Sequence, residues 1–228
     1  FLGTLVLGVL GGWKLLLPVL IFTIFTGPVN GVGRECLLGT LLGAFGLARF
    51  WIRCLQDKLL YRPRRYDFQD DIGSELRGFG GHDYTLRKIS FNLMGRLSRT
   101  LPQTSFLLHP MNGASEVETL YVVCGGNGMV ALEWLHHIDQ FVRLIGSSRL
   151  PAFLLLEYPG YGHCQGTTSP SAVLASSRQA LRQSIEVLGA SSPPELRFLG
   201  HSLGCAATLQ LAESLCREGA EPGRIVLS

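Results

Sequence analysis

From about residue 83 onward, apolar positions fall into two alternating kinds of run. Tyr84–Phe91 and Thr104–His109 read as two early strands, and the short apolar runs ETLYVVC (118–124) and FLLLE (153–157) suit strands buried on both faces. Between the last two, Val130, Trp134, Ile138, Phe141 and Ile145 recur at helical spacing, interspersed with Glu133, His137, Asp139, Gln140 and Arg143. That periodicity predicts a helix over 130–145. Ser169 followed by Pro170 marks another helix start, because the N–H that proline lacks is unpaired in a first turn anyway. The helix they open sets Val173, Leu174, Leu181, Ile185 and Leu188 against Arg178, Gln179, Arg182, Gln183 and Glu186. Leu196–Leu199 reads as a strand, Leu203–Cys216 as a helix and Arg224–Leu227 as the start of a further strand. Strands separated by helices imply the α/β class, with a doubly wound, mostly parallel sheet.

Upstream the pattern changes. Phe1–Thr26 carries a single charge, Lys14, and is long enough for a bilayer-spanning helix, which needs about 20 apolar residues. A targeting segment or a buried helix are the alternatives; a secretory apolar core is usually shorter, about 7–15 residues. Gly27-Pro28 ends this stretch, and a second one, Cys36–Ile52, suits a short span closing a hairpin or a helix lying in the interface. Gly39 and Gly43 stand at the four-residue spacing that permits close helix packing. Arg53, Lys58, Arg62, Arg64 and Arg65 follow, offset only by Asp57. Basic residues beside a membrane segment tend to remain cytoplasmic and attract anionic headgroups, so the globular part is expected on the cytosolic face. The expected organisation is an apolar anchor region of one or two helices (1–52), a basic juxtamembrane linker (53–82) and a folded domain (83–228). The sequence opens on Phe1 rather than Met, so an initiator or targeting segment can be missing.

Composition narrows the classes. Apolar residues make up 46% and charged residues 16% of the 228, which excludes a disordered chain. A net charge of +3, spread along the chain, gives no case for nucleic acid as a partner. The six cysteines form neither C-x-x-C nor a Cys/His ligand spacing, so no disulfide framework and no metal site is expected. No G-x-x-x-x-G-K-[ST] occurs, and no cofactor is expected.

The sharpest chemical feature is Gly200-His201-Ser202-Leu203-Gly204. In a G-x-S-x-G elbow the serine sits on a tight strand-to-helix turn, and the glycines let strand and helix pass close together. With 28 glycines in the chain a chance match arises about once in four such sequences, so the motif alone decides little. Its context decides more: a strand precedes it and a helix rich in small residues, Gly204, Ala206 and Ala207, follows. Ser202 is therefore the candidate nucleophile. Acyl transfer also needs preorganised N–H donors for the tetrahedral oxyanion. Leu203 supplies one, and the Gly125-Gly126-Asn127-Gly128 loop after the 118–124 strand supplies the other, through Asn127 or Gly128.

The segments VVCGGNG (122–128), EYPGYGHCQG (157–166), LGHSLG (199–204) and RIVLS (224–228) resemble, in order and spacing, the α/β-hydrolases of the membrane-anchored, serine aminopeptidase-like group, which includes protein depalmitoylase-like enzymes. Members of that group often carry an apolar anchor followed by a phrase like Lys58-Leu59-Leu60-Tyr61-Arg62-Pro63. The resemblance covers about residues 55–228. It implies Ser202 as nucleophile, Leu203 and Asn127 as oxyanion donors, and Tyr158, Tyr161 and His163 near the pocket rim. Gly125-Gly126-Asn127 stands where the family commonly has His-Gly-Asn, and Cys164 where a serine is common; neither change removes an oxyanion N–H.

The nucleophile needs a base and the base an orienting acid, in the chain order Ser, Asp or Glu, His. After Ser202 the sequence holds no His and no Asp, only Glu213, Glu218 and Glu221. The expectation is a fragment of a longer serine hydrolase, cut before the acid and the histidine. The alternative is a naturally short, non-catalytic relative serving as a membrane subunit or scaffold. The expected partners are membrane lipid, an acylated small-molecule, lipid or protein substrate, and membrane proteins packing against 1–52.

Overall fold

The computed structural model describes residues 39, 42–52, 60–66, 75–94, 99–146 and 149–228. The chain divides into two units, Phe1–Gln56 and Asp57–Ser228. In the first, residues 42–52 are helical, and Leu42, Phe45, Leu47, Phe50, Trp51 and Ile52 expose their side chains. No helix among the described residues is long and apolar enough to cross a membrane. The 1–26 stretch, Gly27-Pro28, Arg53, Cys54 and Lys58 lie outside the described residues.

The second unit is a seven-stranded sheet flanked by helices. Its elements are β1 (Glu75–Phe79), β2 (His82–Met94), β3 (Thr100–Pro110), β4 (Thr119–Cys124), α1 (Trp134–Ile145), β5 (Ala152–Leu156), α2 (Pro170–Leu188), β6 (Glu195–Gly200), α3 (Leu203–Arg217) and β7 (Ile225–Leu227). The strands lie in the order β1-β2-β3-β5-β4-β6-β7. β4, β5, β6 and β7 pair in parallel, whereas β3 meets both β2 and β5 antiparallel. Two reversals leave β2 pointing the same way as β4–β7, so only β1 and β3 run against the rest. The mostly parallel sheet expected from the strand–helix alternation is present, with an antiparallel entry that hairpins build before the first helix.

The period of two along each strand divides the core. On β4 and β5, Leu120, Val122, Cys124, Leu154 and Leu156 pack with Ala180, Leu181 and Leu188 of α2 and Leu211 of α3 on one face. Val123, Phe153 and Leu155 point the other way, onto Ile138 and Val142 of α1. Both faces of the central strands are thus covered, and their apolar runs are nearly continuous for that reason.

The linker expected over 53–82 is shorter than its sequence suggested. β1 falls inside it and pairs with β2, with a register shift between Leu76 and Phe79. A strand of five residues interrupted by Arg77-Gly78 has too little alternation to be read from sequence. Residues 61–66 also belong to the folded unit, where their backbone and side chains bond to the loops described next.

Candidate active site

The serine corner is built by backbone crowding. Ser202 has φ 53° and ψ −115°, and it is the one non-glycine residue with positive φ among the described residues. Such a conformation costs on the order of 1–3 kcal/mol and persists only where its surroundings enforce it. Here β6 must turn directly into α3 while α3 starts against the end of β4. A Cβ on Gly204 would stand 2.7 Å from the carbonyl carbon of Cys124 and 2.7 Å from the Gly125 oxygen. A Cβ on Gly200 would stand 2.9 Å from Cys205 Cα and 2.7 Å from Thr208 Oγ1. Both glycines of the motif are therefore demanded by contact between chain segments. The corner is tied by His201 N–H to Cys124 O (3.1 Å), Ser202 N–H to Ser228 O (2.8 Å) and Cys205 N–H to Ser202 O (3.0 Å).

Ser202 occupies the N-cap of α3 yet makes no side-chain cap bond. A serine at that position ordinarily uses its hydroxyl on the first-turn N–H groups. In this corner the side chain is exposed instead. Leu203 is the first helical residue, so its N–H is among those without an intrahelical acceptor.

The loop after β4 lies against this serine, and the residue that touches it is Gly126. A Cβ there would come within 3.4 Å of Ser202 Cβ and 3.0 Å of His201 Cδ2. Gly128 supplies a left-handed turn at φ 75°. Asn127, named from sequence for its N–H, has its side-chain oxygen engaged: Oδ1 accepts from the Arg62 N–H at 2.8 Å and from the Tyr161 hydroxyl at 3.0 Å. The indole of Trp134, which opens α1, sits behind the loop. Its Nε1 would be 3.3 Å from a Cβ on Gly125 and has no hydrogen-bond partner among the described residues.

Tyr158 and Tyr161, expected at a pocket rim, are buried to 3% and 0% exposure. Each spends its hydroxyl inside the protein, Tyr158 on Gly125 O at 2.8 Å and Tyr161 on Asn127 Oδ1. The two rings support the Gly125–Gly128 loop from within. Burial also pushes the pKa of both phenols up, so they remain hydrogen-bond donors. His163 is exposed and lies on the Tyr66 ring, with centroids 4.8 Å apart. Its pKa is lowered, first by partial desolvation and then by Lys88 and Arg65. His201 turns its Nδ1 toward the Ser228 hydroxyl at 3.2 Å. Neither ring bonds the Ser202 hydroxyl. Cys164, standing where a serine was expected, is buried and exchanges hydrogen bonds with the Thr104 N–H and carbonyl, at 3.3 and 3.2 Å. Burial raises its thiol to about 12, so it is a neutral structural group.

Glu157, at the end of β5, escaped the sequence reading. It is 3% exposed, and Oε2 accepts from the Tyr66 hydroxyl at 2.6 Å and the Ala131 N–H at 3.2 Å. Desolvation raises its pKa to about 7 against these two donors. A Cβ on Gly162 would meet the Glu157 Cδ at 2.6 Å, so the Pro159-Gly160-Tyr161-Gly162 turn packs directly on the carboxyl. No cluster of His, Cys, Asp and Glu fit for a metal ion occurs among the described residues.

No family model matches the chain, and no curated protein matches it. Among solved structures, a bacterial heroin esterase is 22% identical over 63% of this chain and 44% of its own, with a TM-score of 0.45. A point mutant of the rice cell wall degrading esterase LipA from Xanthomonas oryzae is 12% identical over 64% and 41%, with a TM-score of 0.46. Carboxyl esterase 2 from the mycorrhizal fungus Tuber melanosporum is 16% identical over 73% and 48%, with a TM-score of 0.41. The chain spans less than half the length of each of these structures.

Proposed function

We propose that this chain carries the nucleophile and oxyanion site of a serine hydrolase of the α/β-hydrolase type. The observation that carries the reading is Ser202, held at positive φ between two glycines whose Cβ positions are filled by backbone, with its hydroxyl free of the helix it caps. The hydroxyl oxygen attacks the carbonyl carbon of an ester, thioester or amide while a general base takes its proton. The leaving group departs with a proton when the tetrahedral adduct collapses, and water then cleaves the acyl-enzyme. The N–H of Leu203 and an N–H of the Gly126–Gly128 loop hold the oxyanion, as donors fixed in place before charge develops.

The apolar composition of residues 1–52 and the exposed side chains of 42–52 support attachment to a membrane, with lipid or acyl-protein substrates presented at its surface. Exposed apolar clusters of this kind mark interaction sites. The basic residues between 53 and 65 support a cytosolic orientation.

The test is a fluorophosphonate probe, which reacts only with an activated serine. It labels the full-length natural protein and leaves Ser202→Ala unlabelled; equal labelling of both rejects the assignment. Labelling of neither, with a folded protein, favours the non-catalytic scaffold. Loss of co-sedimentation with anionic vesicles on removal of residues 1–52 tests the membrane part separately.

A further inference from the structure

The loop that flanks Ser202 is almost devoid of side chains. Gly125, Gly126 and Gly128 offer nothing to pack, and glycine is the residue that loses most freedom when its backbone is fixed. Asn127 has the only side chain of the four residues, beside backbone bonds at Gly125 and Gly126. Its oxygen receives the backbone N–H of Arg62, a residue 65 positions earlier in the chain. The strap to which Arg62 belongs runs over both loops of the candidate site. A Cβ on Gly128 would lie 3.8 Å from the Arg62 carbonyl oxygen, so strap and loop are in face-to-face contact.

The other end of the strap is pinned as firmly. The Tyr66 hydroxyl donates to Glu157 Oε2 at 2.6 Å and accepts from the Leu132 N–H at 3.3 Å. Glu157 also takes the Ala131 N–H, so both donors belong to the short helical turn Ala131–Glu133 that follows the loop. Between the two ends, Arg64 pairs with Glu133, and its carbonyl accepts the Gly162 N–H at 2.8 Å. Arg65 donates to the carbonyls of Gly162 and Cys164 at 3.2 and 2.9 Å. Every one of these partners lies in the β4–α1 loop region or the turn after β5.

We propose that residues 61–66 are a positioning clip for the Gly125–Gly128 loop, with the Asn127 carboxamide as its joint and Tyr66 on Glu157 as its anchor. The proposal rests on the reading of that loop as half of an oxyanion site. Asn127 then has two separable parts: its backbone belongs to the loop that faces the substrate oxygen, while its side chain ties that loop to the strap. The Arg62 contribution is a backbone donor, so the identity of its side chain is immaterial to the joint.

The experiment uses the full-length natural protein and two readouts: amide hydrogen exchange of peptides spanning 125–130, and the rate of Ser202 labelling by a fluorophosphonate. Asn127→Leu removes the acceptor. Exchange in 125–130 rises about tenfold and labelling falls about tenfold, as loss of the two hydrogen bonds that share this acceptor entails, while β6 and α3 exchange as before. Tyr161→Phe deletes one donor and no volume, and moves both readouts the same way by less. Asn127→Asp keeps the acceptor and exchanges like the natural protein, and Arg62→Ala keeps the N–H and matches it on both readouts. If Asn127→Leu fails to fold, Tyr161→Phe decides. Unchanged exchange in Asn127→Leu and Tyr161→Phe overturns the clip, as does Asn127→Asp exchanging as fast as Asn127→Leu. Faster exchange with unchanged labelling overturns the positioning role. Absence of labelling in the natural protein counts against the serine hydrolase reading instead, and the exchange contrast still judges the clip.

Discussion

The two loops that meet at Ser202 are held by different means, one mainly by backbone and the other mainly by side chains. The β6–α3 corner is fixed through backbone: two glycines admit the close approach, and the His201, Ser202 and Cys205 N–H groups donate to the carbonyls of Cys124, Ser228 and Ser202. Within the β4–α1 loop, the Met129 N–H donates to Gly126 O at 3.2 Å and the Gly126 N–H to Met129 Sδ at 3.4 Å, but the rest of its support comes from farther away. It is held by side chains and a strap that arrive from Tyr66, Tyr158, Tyr161 and Arg62, all distant in sequence. A backbone-locked nucleophile beside a donor loop fastened largely by side chains puts the two halves of one candidate site under different constraints, although the halves touch at Gly126 and Gly204. Substitutions at Asn127 or Tyr161 address the loop side, whereas Gly204, which packs on Cys124 and Gly125, touches both.

That contrast can be broken most forcefully at the corner. Gly204→Ala places a methyl group where the Cys124 and Gly125 carbonyls already stand, and backbone on both sides leaves no flexible atom to yield. The expected loss is about 4 kcal/mol, among the largest that single substitutions produce. Urea unfolding followed by circular dichroism measures it, and a midpoint equal to that of the natural chain refutes the close contact.

The loop side is probed next through Glu157, whose buried carboxyl titrates near 7 rather than at its ordinary 4.5. A raised pKa means that the folded state holds the proton more tightly than the unfolded one. The associated stabilisation is complete below about 4.5 and is lost as pH rises through about 7. Tyr66, the Ala131 N–H and Arg64 oppose the shift, while Glu133 adds to it. The difference in unfolding free energy between the natural chain and Glu157→Gln is therefore expected to change by up to about 3 kcal/mol across that window. A pH-independent difference contradicts the burial of an ionisable group there.

A smaller effect of opposite sign is expected at Ser202. Glycine adopts positive φ without penalty, so Ser202→Gly relieves the strained backbone. It should unfold later than Ser202→Ala, by about 1 kcal/mol. Equal stability of the two variants shows that the corner is unstrained. The smallest change is reserved for a position that touches neither loop. Arg217 and Glu213 form an exposed i,i+4 pair on α3, and Arg217→Ala is expected to cost less than about 0.5 kcal/mol.

The same division explains what the sequence could disclose. The elbow is a local event, in which strand, Gly-x-Ser-x-Gly and helix follow one another, so five consecutive residues carry the signal. β4 and β5 were legible because burial on both faces makes their apolar runs continuous. Ser169 was legible as a helix start, and its hydroxyl accepts the Ala172 N–H at 3.2 Å. β1 was not, since its pairing with β2 owes more to the Gly80-Gly81 turn than to any alternation of its own. Gly80 has positive φ and donates its N–H to Asp139 of α1 at 2.6 Å, a contact no local pattern announces. Tyr158 and Tyr161, in a glycine-rich turn, were expected at the pocket rim; their hydroxyls find partners inside, which is what lets them be buried. Glu157 and the 61–66 strap were hidden for a related reason. Each makes sense only once β4 and β5 lie side by side and bring residues 131 and 157 together. Arg64 and Arg65, assigned to a basic juxtamembrane linker, pair with Glu133 and donate to the Gly162 and Cys164 carbonyls, respectively.

The central claim is that the Ser202 hydroxyl, the Leu203 N–H and the Gly126–Gly128 loop converge on one reacting atom. A crystal structure of the full-length protein after reaction with a small alkyl phosphonate tests this directly. The account predicts phosphorus bonded to Ser202 Oγ, with its free oxygen about 2.7–3.1 Å from the Leu203 nitrogen and from a backbone nitrogen of that loop. An adduct on another residue, or one whose oxygen faces solvent with no loop nitrogen in reach, would contradict it.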